Sequence, residues 1–408
     1  MSRLLGSQAS AHQRSHGHPG GGDGGIALDL SQRPLLVFWE TTRACMLACR
    51  HCRASALQEP APGEMTAEEG MDLIRQVAEF GRPAPILILT GGDCLMRKDV
   101  FEVVRYARTL GITVAMSPSV TPRLDGRAMA QMRQAGVRAV SISLDGALEI
   151  THDGIRGVEG HFTQTLSAVR SLVTAGFRVQ VNTTVMRANA SELADVFALV
   201  RESGAHIWEV FFLVNVGRGV AVEALDPTAN QDVCHFLHEA AAYGVTVRTV
   251  EAPFFRRITV ERRLQARAGI PPETLPLGPL YHRLSRRLVE RMGRPTHSPA
   301  QPSIVTRDGQ GLIFVAHDGE VLASGFLPLS LGNVRSQKLA TIYRQHPVLK
   351  SIREGAFSGA CGTCAWKERC GGSRARAFNE GGDALGEDPA CPFRETASSR
   401  NPVLITPV

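Results

Sequence analysis

The chain has 408 residues, of which 43% are hydrophobic and 21% are charged, and its formal net charge is +6. This length and composition predict a folded protein of two or three units rather than a disordered chain. Aromatic residues make up only 6% of the chain, which disfavours a surface that stacks RNA bases, so we expect no nucleic-acid partner. No run of about 18 apolar residues is present, so we expect no membrane partner either.

The use of cysteine indicates the cell compartment. The nine cysteines are an odd number and fall mainly at two places, a pattern typical of metal ligands in a reducing environment rather than of disulfides. The N-terminal residues lack the apolar core of a signal peptide. A cytoplasmic location is therefore expected.

The predicted elements follow a tail, residues 1–31, which is rich in Gly, Ser and His and is expected to be flexible. Residues 32–225 alternate apolar runs with helical patterns. The runs predict six strands at 35–40, 85–90, 112–117, 138–144, 178–186 and 207–214. The helical patterns cover 66–80, 99–110, 160–175 and 190–203, and the first opens with a capping box at Thr66 and Glu69. This alternation predicts an α/β fold, a partial (β/α)6 parallel barrel whose chemistry gathers at the carboxyl ends of the strands.

The remainder of the chain predicts a smaller C-terminal unit. Residues 226–302 are expected to be a helical bridge with proline-rich breaks. Residues 303–396 then begin with two short strands at 312–316 and 320–322, which an Asp-Gly turn joins. Residues 397–408 are expected to form a C-terminal tail.

Three cysteines directly follow the first predicted strand. Cys45, Cys49 and Cys52 have the spacing C-x3-C-x2-C, and three thiolates on one loop can hold three irons of a [4Fe–4S] cluster while the fourth iron stays open. A structural zinc loop is the alternative. It lacks a fourth ligand nearby, because His51 is adjacent to Cys52 and would point elsewhere.

This cysteine loop resembles the signature of the radical S-adenosyl-L-methionine (SAM) superfamily. The resemblance implies that the open iron chelates the methionine moiety of SAM. An electron from a flavodoxin- or ferredoxin-type donor would then cleave SAM to methionine and a 5′-deoxyadenosyl radical, which abstracts hydrogen from an unreactive C–H bond. The turn Gly91-Gly92-Asp93 after the second strand resembles the family's motif that receives the SAM amino group. The family usually has Pro next, whereas this chain has Cys94, either a fourth ligand or a packed thiol.

The same resemblance assigns further SAM contacts to the later strands. They are Ser117, Ser143, Arg156, Asn182 and Val214. Arg156 would pair with the SAM carboxylate, a charge-assisted contact that suits a guanidinium group. The residues around Ser117 depart from the family's usual Thr-Asn-Gly. No catalytic acid or base is assigned.

A second cysteine set lies near the C-terminus. Its members are Cys361, Cys364, Cys370 and Cys391, with the spacing C-x2-C-x5-C-x20-C. Four thiolates complete either one tetrahedral zinc site or one fully ligated [4Fe–4S] cluster. The surrounding sequence resembles the SPASM extension of radical SAM maturases, and especially the heme-biosynthetic decarboxylases. Many relatives carry further cysteines at Ser373 and near Ser324, so this chain is expected to hold at most one auxiliary [4Fe–4S] cluster.

The resemblance implies an oxidoreductase or maturase and leaves the substrate open. A peptide or protein is our first expectation, because most SPASM extensions serve peptide modification. A tetrapyrrole whose side chains are decarboxylated is the alternative, and the basic segment 256–294 could receive its carboxylates. A non-catalytic iron–sulfur or zinc protein is a further alternative. The SAM-binding motifs at Gly91–Asp93 and Arg156 argue against it.

Overall fold

The computed structural model describes residues 29–271, 274–275, 277–295, 297–299 and 306–394. The predicted N-terminal tail, apart from residues 29–31, and the predicted C-terminal tail lie outside these ranges. Within the described ranges, no helix has the length and apolarity that a membrane crossing requires.

Among the described residues, ten strands form one sheet, in which the first seven strands are parallel neighbours in sequence order. The strands are β1 (Leu36–Glu40), β2 (Ile86–Thr90), β3 (Val114–Met116), β4 (Ala139–Ser143), β5 (Arg178–Val185), β6 (Ile207–Phe212), β7 (Thr246–Val250), β8 (Leu312–Val315), β9 (Glu320–Leu322) and β10 (Ser330–Asn333). Their order is β10-β9-β8-β1-β2-β3-β4-β5-β6-β7. The predicted α/β partial barrel is confirmed, because sequential parallel strands joined by helices produce this arrangement.

Thirteen α-helices connect or follow these strands in the described residues. They are α1 (Ala67–Ala78), α2 (Val100–Thr109), α3 (Gly126–Ala135), α4 (Glu149–Arg156), α5 (His161–Thr174), α6 (Leu193–Glu202), α7 (Pro227–Ala240), α8 (Phe255–Arg267), α9 (Pro279–Met292), α10 (Leu339–Gln345), α11 (Pro347–Glu354), α12 (Gly359–Thr363) and α13 (Arg374–Gly381). The predicted capping box opens α1, with the Glu69 backbone N–H donating to Thr66 Oγ1 and the Thr66 N–H donating to Glu69 Oε2.

Two features of the sheet differ from the prediction. The expectation that residues 226–302 are helical was wrong at Thr246–Val250, which form β7 beside β6. This segment is short and carries an arginine between its apolar residues, so its apolar run is too weak to mark a strand. In addition, β8 pairs in parallel with β1, so the C-terminal hairpin continues the same sheet. The carboxylate of Glu40 fixes this junction through Arg53 at 3.2 Å and His317 at 2.9 Å.

The two faces of the sheet have different environments. Alternate residues such as Leu89, Ile142 and Trp208 are buried in one continuous core with the helices. The intervening residues stay partly exposed on the opposite face, which we call the inner face. Several of them are polar: Ser141, Ser143, Gln180, Asn182 and Glu209. A surface of this kind, enclosed but polar, suits the binding of a cofactor and a substrate.

Candidate functional site

The cysteine loop lies directly after β1, at the carboxyl end of the sheet. Cys45 and Cys49 are buried and Cys52 is half-buried, in a small cluster separate from the main core. Backbone N–H groups point at two of the sulfurs: that of Leu47 donates to Cys45 Sγ at 3.4 Å and that of Ala56 to Cys52 Sγ at 3.5 Å. Donors of this type stabilise thiolates and tune the clusters that they hold.

The Gly-Gly turn after β2 packs against this loop. Gly91 has φ +146°, and a Cβ on it would lie 2.4 Å from the Thr42 carbonyl oxygen. A Cβ on Gly92 would lie 2.3 Å from the Ala44 carbonyl oxygen. The Gly92 N–H donates to the Thr42 carbonyl at 2.8 Å, and the Asp93 N–H donates to that of Ala44 at 2.7 Å. The glycines are therefore required for the turn to support the cysteine loop.

The side chain of Asp93 is fully buried beside this turn. Its carboxylate accepts hydrogen bonds from Thr121 Oγ1 at 2.9 Å, the Leu95 N–H at 3.1 Å and the Ser119 N–H at 3.3 Å. Burial raises the pKa of Asp93, and these hydrogen bonds only partly oppose that rise. The carboxylate thus anchors the strand-end loops to one another, and its contact with the SAM amino group stays a prediction.

A turn after β6 holds the other side of the cysteine loop. Gly217 has φ +55°, and a Cβ there would lie 2.4 Å from the Arg53 carbonyl oxygen. Arg218 donates from Nε to the Cys49 carbonyl at 2.9 Å and from Nη1 to the Ala56 carbonyl at 3.0 Å. Its Nη2 is buried without a hydrogen-bond partner among the described residues. The side-chain contacts of Arg218 depend on tertiary structure, so no local sequence pattern predicts them.

Arg156 lies against Cys49 and a buried carboxylate. Its Nη1 donates to Cys49 Sγ at 3.5 Å, and its Nη2 lies 2.5 Å from Asp145 Oδ2. The Nε of Arg156 is buried and has no hydrogen-bond partner within the described ranges. Burial would raise the pKa of Asp145, but Arg156 beside it holds that pKa below its ordinary value. The pair is therefore ionised, and an unpartnered guanidinium N–H beside a cysteine loop fits an anionic or carboxylate-bearing cofactor.

His51 completes this group. Its Nε2 lies 3.4 Å from Asp145 Oδ2. Burial lowers the pKa of His51 to about 4, although Asp145 opposes the shift. The imidazole is therefore neutral at physiological pH. Asp145 is the acid that positions both neighbours.

The remaining predicted SAM residues lie at or near the carboxyl ends of the strands. Ser117, Ser143 and Asn182 are half-buried on the inner face. Ser117 Oγ lies 2.5 Å from Ser141 Oγ, and β4 pairs Ser143 with Asn182 of β5. Val214 is buried just after β6. Their contacts with SAM stay predictions.

The four distal cysteines line one small cavity of about 30 Å³. Burial raises the pKa of Cys370 and of Cys391 to about 12, so these sulfurs become thiolates only beside a cation. The Asp388 N–H and Arg374 Nη2 both donate to Cys361 Sγ, at 3.4 and 3.5 Å. Four thiols around one cavity, with N–H donors beside one of them, are the donor set that an iron–sulfur cluster uses. In the part of the chain that the structure describes, no group of three or more His, Cys, Asp or Glu side chains is arranged to hold a single metal ion.

The two serines at which the SPASM resemblance leads us to expect further cysteines have other partners in this protein. Ser373 Oγ donates to Glu251 Oε2 at 2.5 Å, and Ser324 donates to the carboxylate of Asp308. Cys94 is fully buried in the main core, which agrees with the interpretation of a packed thiol.

Comparison with known proteins identifies the class. Residues 39–200 match the family model described as the radical SAM superfamily. An AdoMet-dependent heme synthase of Oleidesulfovibrio alaskensis is 35% identical over 401 residues, which cover 94% of this chain and 96% of that protein. The heme synthase of Methanosarcina barkeri is 34% identical over 90% and 98% of the two chains. The mycofactocin maturase MftC of Mycobacterium ulcerans is 28% identical over 88% of each.

A solved structure agrees with the fold. Streptococcus suis SuiB bound to its precursor peptide SuiA superposes with a TM-score of 0.63 over 88% of this chain and 76% of that chain, at 13% identity. The protein belongs to the radical SAM superfamily. It is accordingly an enzyme that uses a [4Fe–4S] cluster and SAM. Among its relatives are AdoMet-dependent heme synthases and a mycofactocin maturase.

Proposed function

We propose that this protein decarboxylates propionate side chains of an iron tetrapyrrole, the reaction class that a heme synthase requires. The observation that carries the proposal is the similarity to AdoMet-dependent heme synthases, which extends over 94% of this chain at 35% identity. Our first expectation from the sequence was a peptide substrate. The heme synthases favour the tetrapyrrole alternative, because their identity exceeds that of the peptide maturase.

The residues around the first cysteine loop would hold the cofactors. Cys45, Cys49 and Cys52 are the candidate ligands of a [4Fe–4S] cluster, which with SAM supplies a hydrogen-atom acceptor when bound. Arg156, with its unpartnered Nε, is suited to the SAM carboxylate. Arg218 keeps the loop in place through its hydrogen bonds to backbone carbonyls.

The inner face would receive the tetrapyrrole. Its aromatic pair, Phe211 of β6 and Phe326 of the C-terminal unit, has ring centroids 6.1 Å apart, and such rings pack well against a flat macrocycle. Polar side chains of β4, β5 and β6 lie on the same inner face. The net change per propionate is the loss of one hydrogen atom, carbon dioxide and one electron, which leaves a vinyl group. The distal cysteines, as ligands of an auxiliary [4Fe–4S] cluster, would provide an acceptor for that electron.

Peptide modification is the second candidate, because MftC is 28% identical over 88% of this chain. The two candidate functions can be distinguished by testing which substrate, a tetrapyrrole or a peptide, accelerates SAM cleavage. Anaerobically reconstituted protein should be incubated with SAM, dithionite and either iron coproporphyrin III or a library of precursor peptides. We expect the porphyrin to lose carboxyl groups, detected by mass spectrometry, and to raise 5′-deoxyadenosine formation. An unchanged porphyrin together with a modified peptide would contradict the proposal.

A further inference from the structure

A row of polar side chains crosses β5, β6 and β7 on the inner face. The pairing register places Asn182 opposite Glu209 and Glu209 opposite Arg248. Trp208 and Val210 are fully buried against the helices, so Glu209 between them must point to the inner face. The predicted SAM contact Asn182 belongs to this row, but Glu209 and Arg248 have no assigned role.

One hydrogen-bonding residue fixes the orientation of this row. Gln180 Nε2 donates to Asn182 Oδ1 and to Glu209 Oε2, at 2.8 Å in each case. Arg248 is exposed, and within the described ranges its guanidinium has no hydrogen bond and no ion pair closer than 4 Å. It is the charged group that acts on Glu209 from the neighbouring strand. The row therefore contains a held carboxyl group beside an available cation.

The charge of Glu209 determines how strongly the guanidinium of Arg248 attracts an anion. Burial raises the pKa of Glu209, although Arg248 and the Gln180 hydrogen bond oppose the rise. An ionised Glu209 would neutralise Arg248 and weaken its attraction for an anion. A protonated Glu209 leaves the guanidinium uncompensated and adds an O–H donor beside it.

We infer that Arg248 and Glu209 form the receptor for a substrate carboxylate on the inner face. The inference rests on the proposed function and adds the residues that recognise the acidic substrate. A guanidinium offers two parallel N–H groups to a carboxylate. Because Arg248 shares its row with Ser143 and Asn182, a bound side chain would be held beside the predicted SAM site.

The test is a binding titration with the cluster-loaded protein, in which iron coproporphyrin III is followed by its visible absorbance. Replacing Arg248 with Ala should weaken binding by about 10-fold or more, the loss typical of one charge-assisted hydrogen bond. Arg178→Ala is the matched control, because Arg178 is exposed on the same side of β5 but at its amino end. The Arg178→Ala variant should bind iron coproporphyrin III with the affinity of the wild type.

The pH profile provides a second readout that does not depend on Arg248→Ala folding well. Wild-type affinity should fall as the pH rises through the pKa of Glu209, whereas a Glu209→Gln variant should bind with little pH dependence. The porphyrin methyl ester should bind weakly to every variant. Unchanged affinity in Arg248→Ala, or equal affinity for acid and ester, would overturn the carboxylate receptor while wild-type turnover still supported the proposed function. A wild type that neither binds nor converts the porphyrin would overturn both.

Discussion

The buried ion pair between Asp145 and Arg156 provides a quantitative test of how the cysteine loop is supported. The side chain of Asp145 is fully buried and that of Arg156 is 10% exposed, with Oδ2 and Nη2 2.5 Å apart. Replacing Asp145 with Asn would leave the arginine charged, buried and uncompensated. Removal of one partner from a buried pair costs about 3–5 kcal/mol, so we expect the free energy of unfolding to fall by roughly that amount.

The double variant Asp145→Asn, Arg156→Met should recover much of this loss, because it removes both charges. Urea unfolding of the cluster-loaded protein, followed by circular dichroism under anaerobic conditions, measures all the differences. The pair Arg187–Glu223 is the matched control, since its side chains are 66% and 72% exposed at 3.2 Å. Glu223→Gln should have almost no effect. An Asp145→Asn loss no larger than that of the control would refute the reasoning.

Three further predictions concern the junction, the turn and the distal cysteines. The hydrogen bond to Glu40 raises the pKa of His317, so its stabilising contribution is complete below about pH 6.5. That contribution is lost as the pH rises through the higher folded pKa, and the stability difference between wild type and His317→Gln should shrink in urea titrations from pH 6 to 9. Gly92→Ala should displace the cysteine loop, because the added Cβ would lie 2.3 Å from the Ala44 carbonyl oxygen. Iron analysis of this variant should show a loss of about half the iron. An iron content equal to that of the wild type would contradict the prediction. The Cys364→Ala variant should retain slow 5′-deoxyadenosine formation but lose substrate turnover, when both activities are measured on the same soluble preparation. Full substrate turnover in a variant that lacks the distal iron would contradict an electron-transfer role for the distal cluster.

The alternation of apolar runs and helical patterns was sufficient to predict the parallel barrel, because each pattern has a distinct period. Strand β7 was missed since Thr246–Val250 contain an arginine at the centre. This arginine, Arg248, faces the inner side of the sheet rather than the helices, where a polar side chain is tolerated. Pairing of β8 with β1 was also missed, because long-range strand pairing leaves no local signal.

The cysteine spacings identified both candidate metal sites, but the residues that support them required the structure. Arg218 contacts carbonyls more than 160 positions away in sequence, and such a contact has no periodicity. Similarly, the row that joins Glu209 to Arg248 depends on the register between β6 and β7. The sequence alone specifies neither.

The most direct test of the central claim is the fate of the hydrogen that the reaction removes. Iron coproporphyrin III with deuterium on the propionate carbon next to the ring should be converted with SAM and dithionite under anaerobic conditions. Mass spectrometry of 5′-deoxyadenosine should then show deuterium in amounts that follow vinyl product formation. A decarboxylated product accompanied only by unlabelled 5′-deoxyadenosine, or no conversion of the porphyrin, would contradict the account.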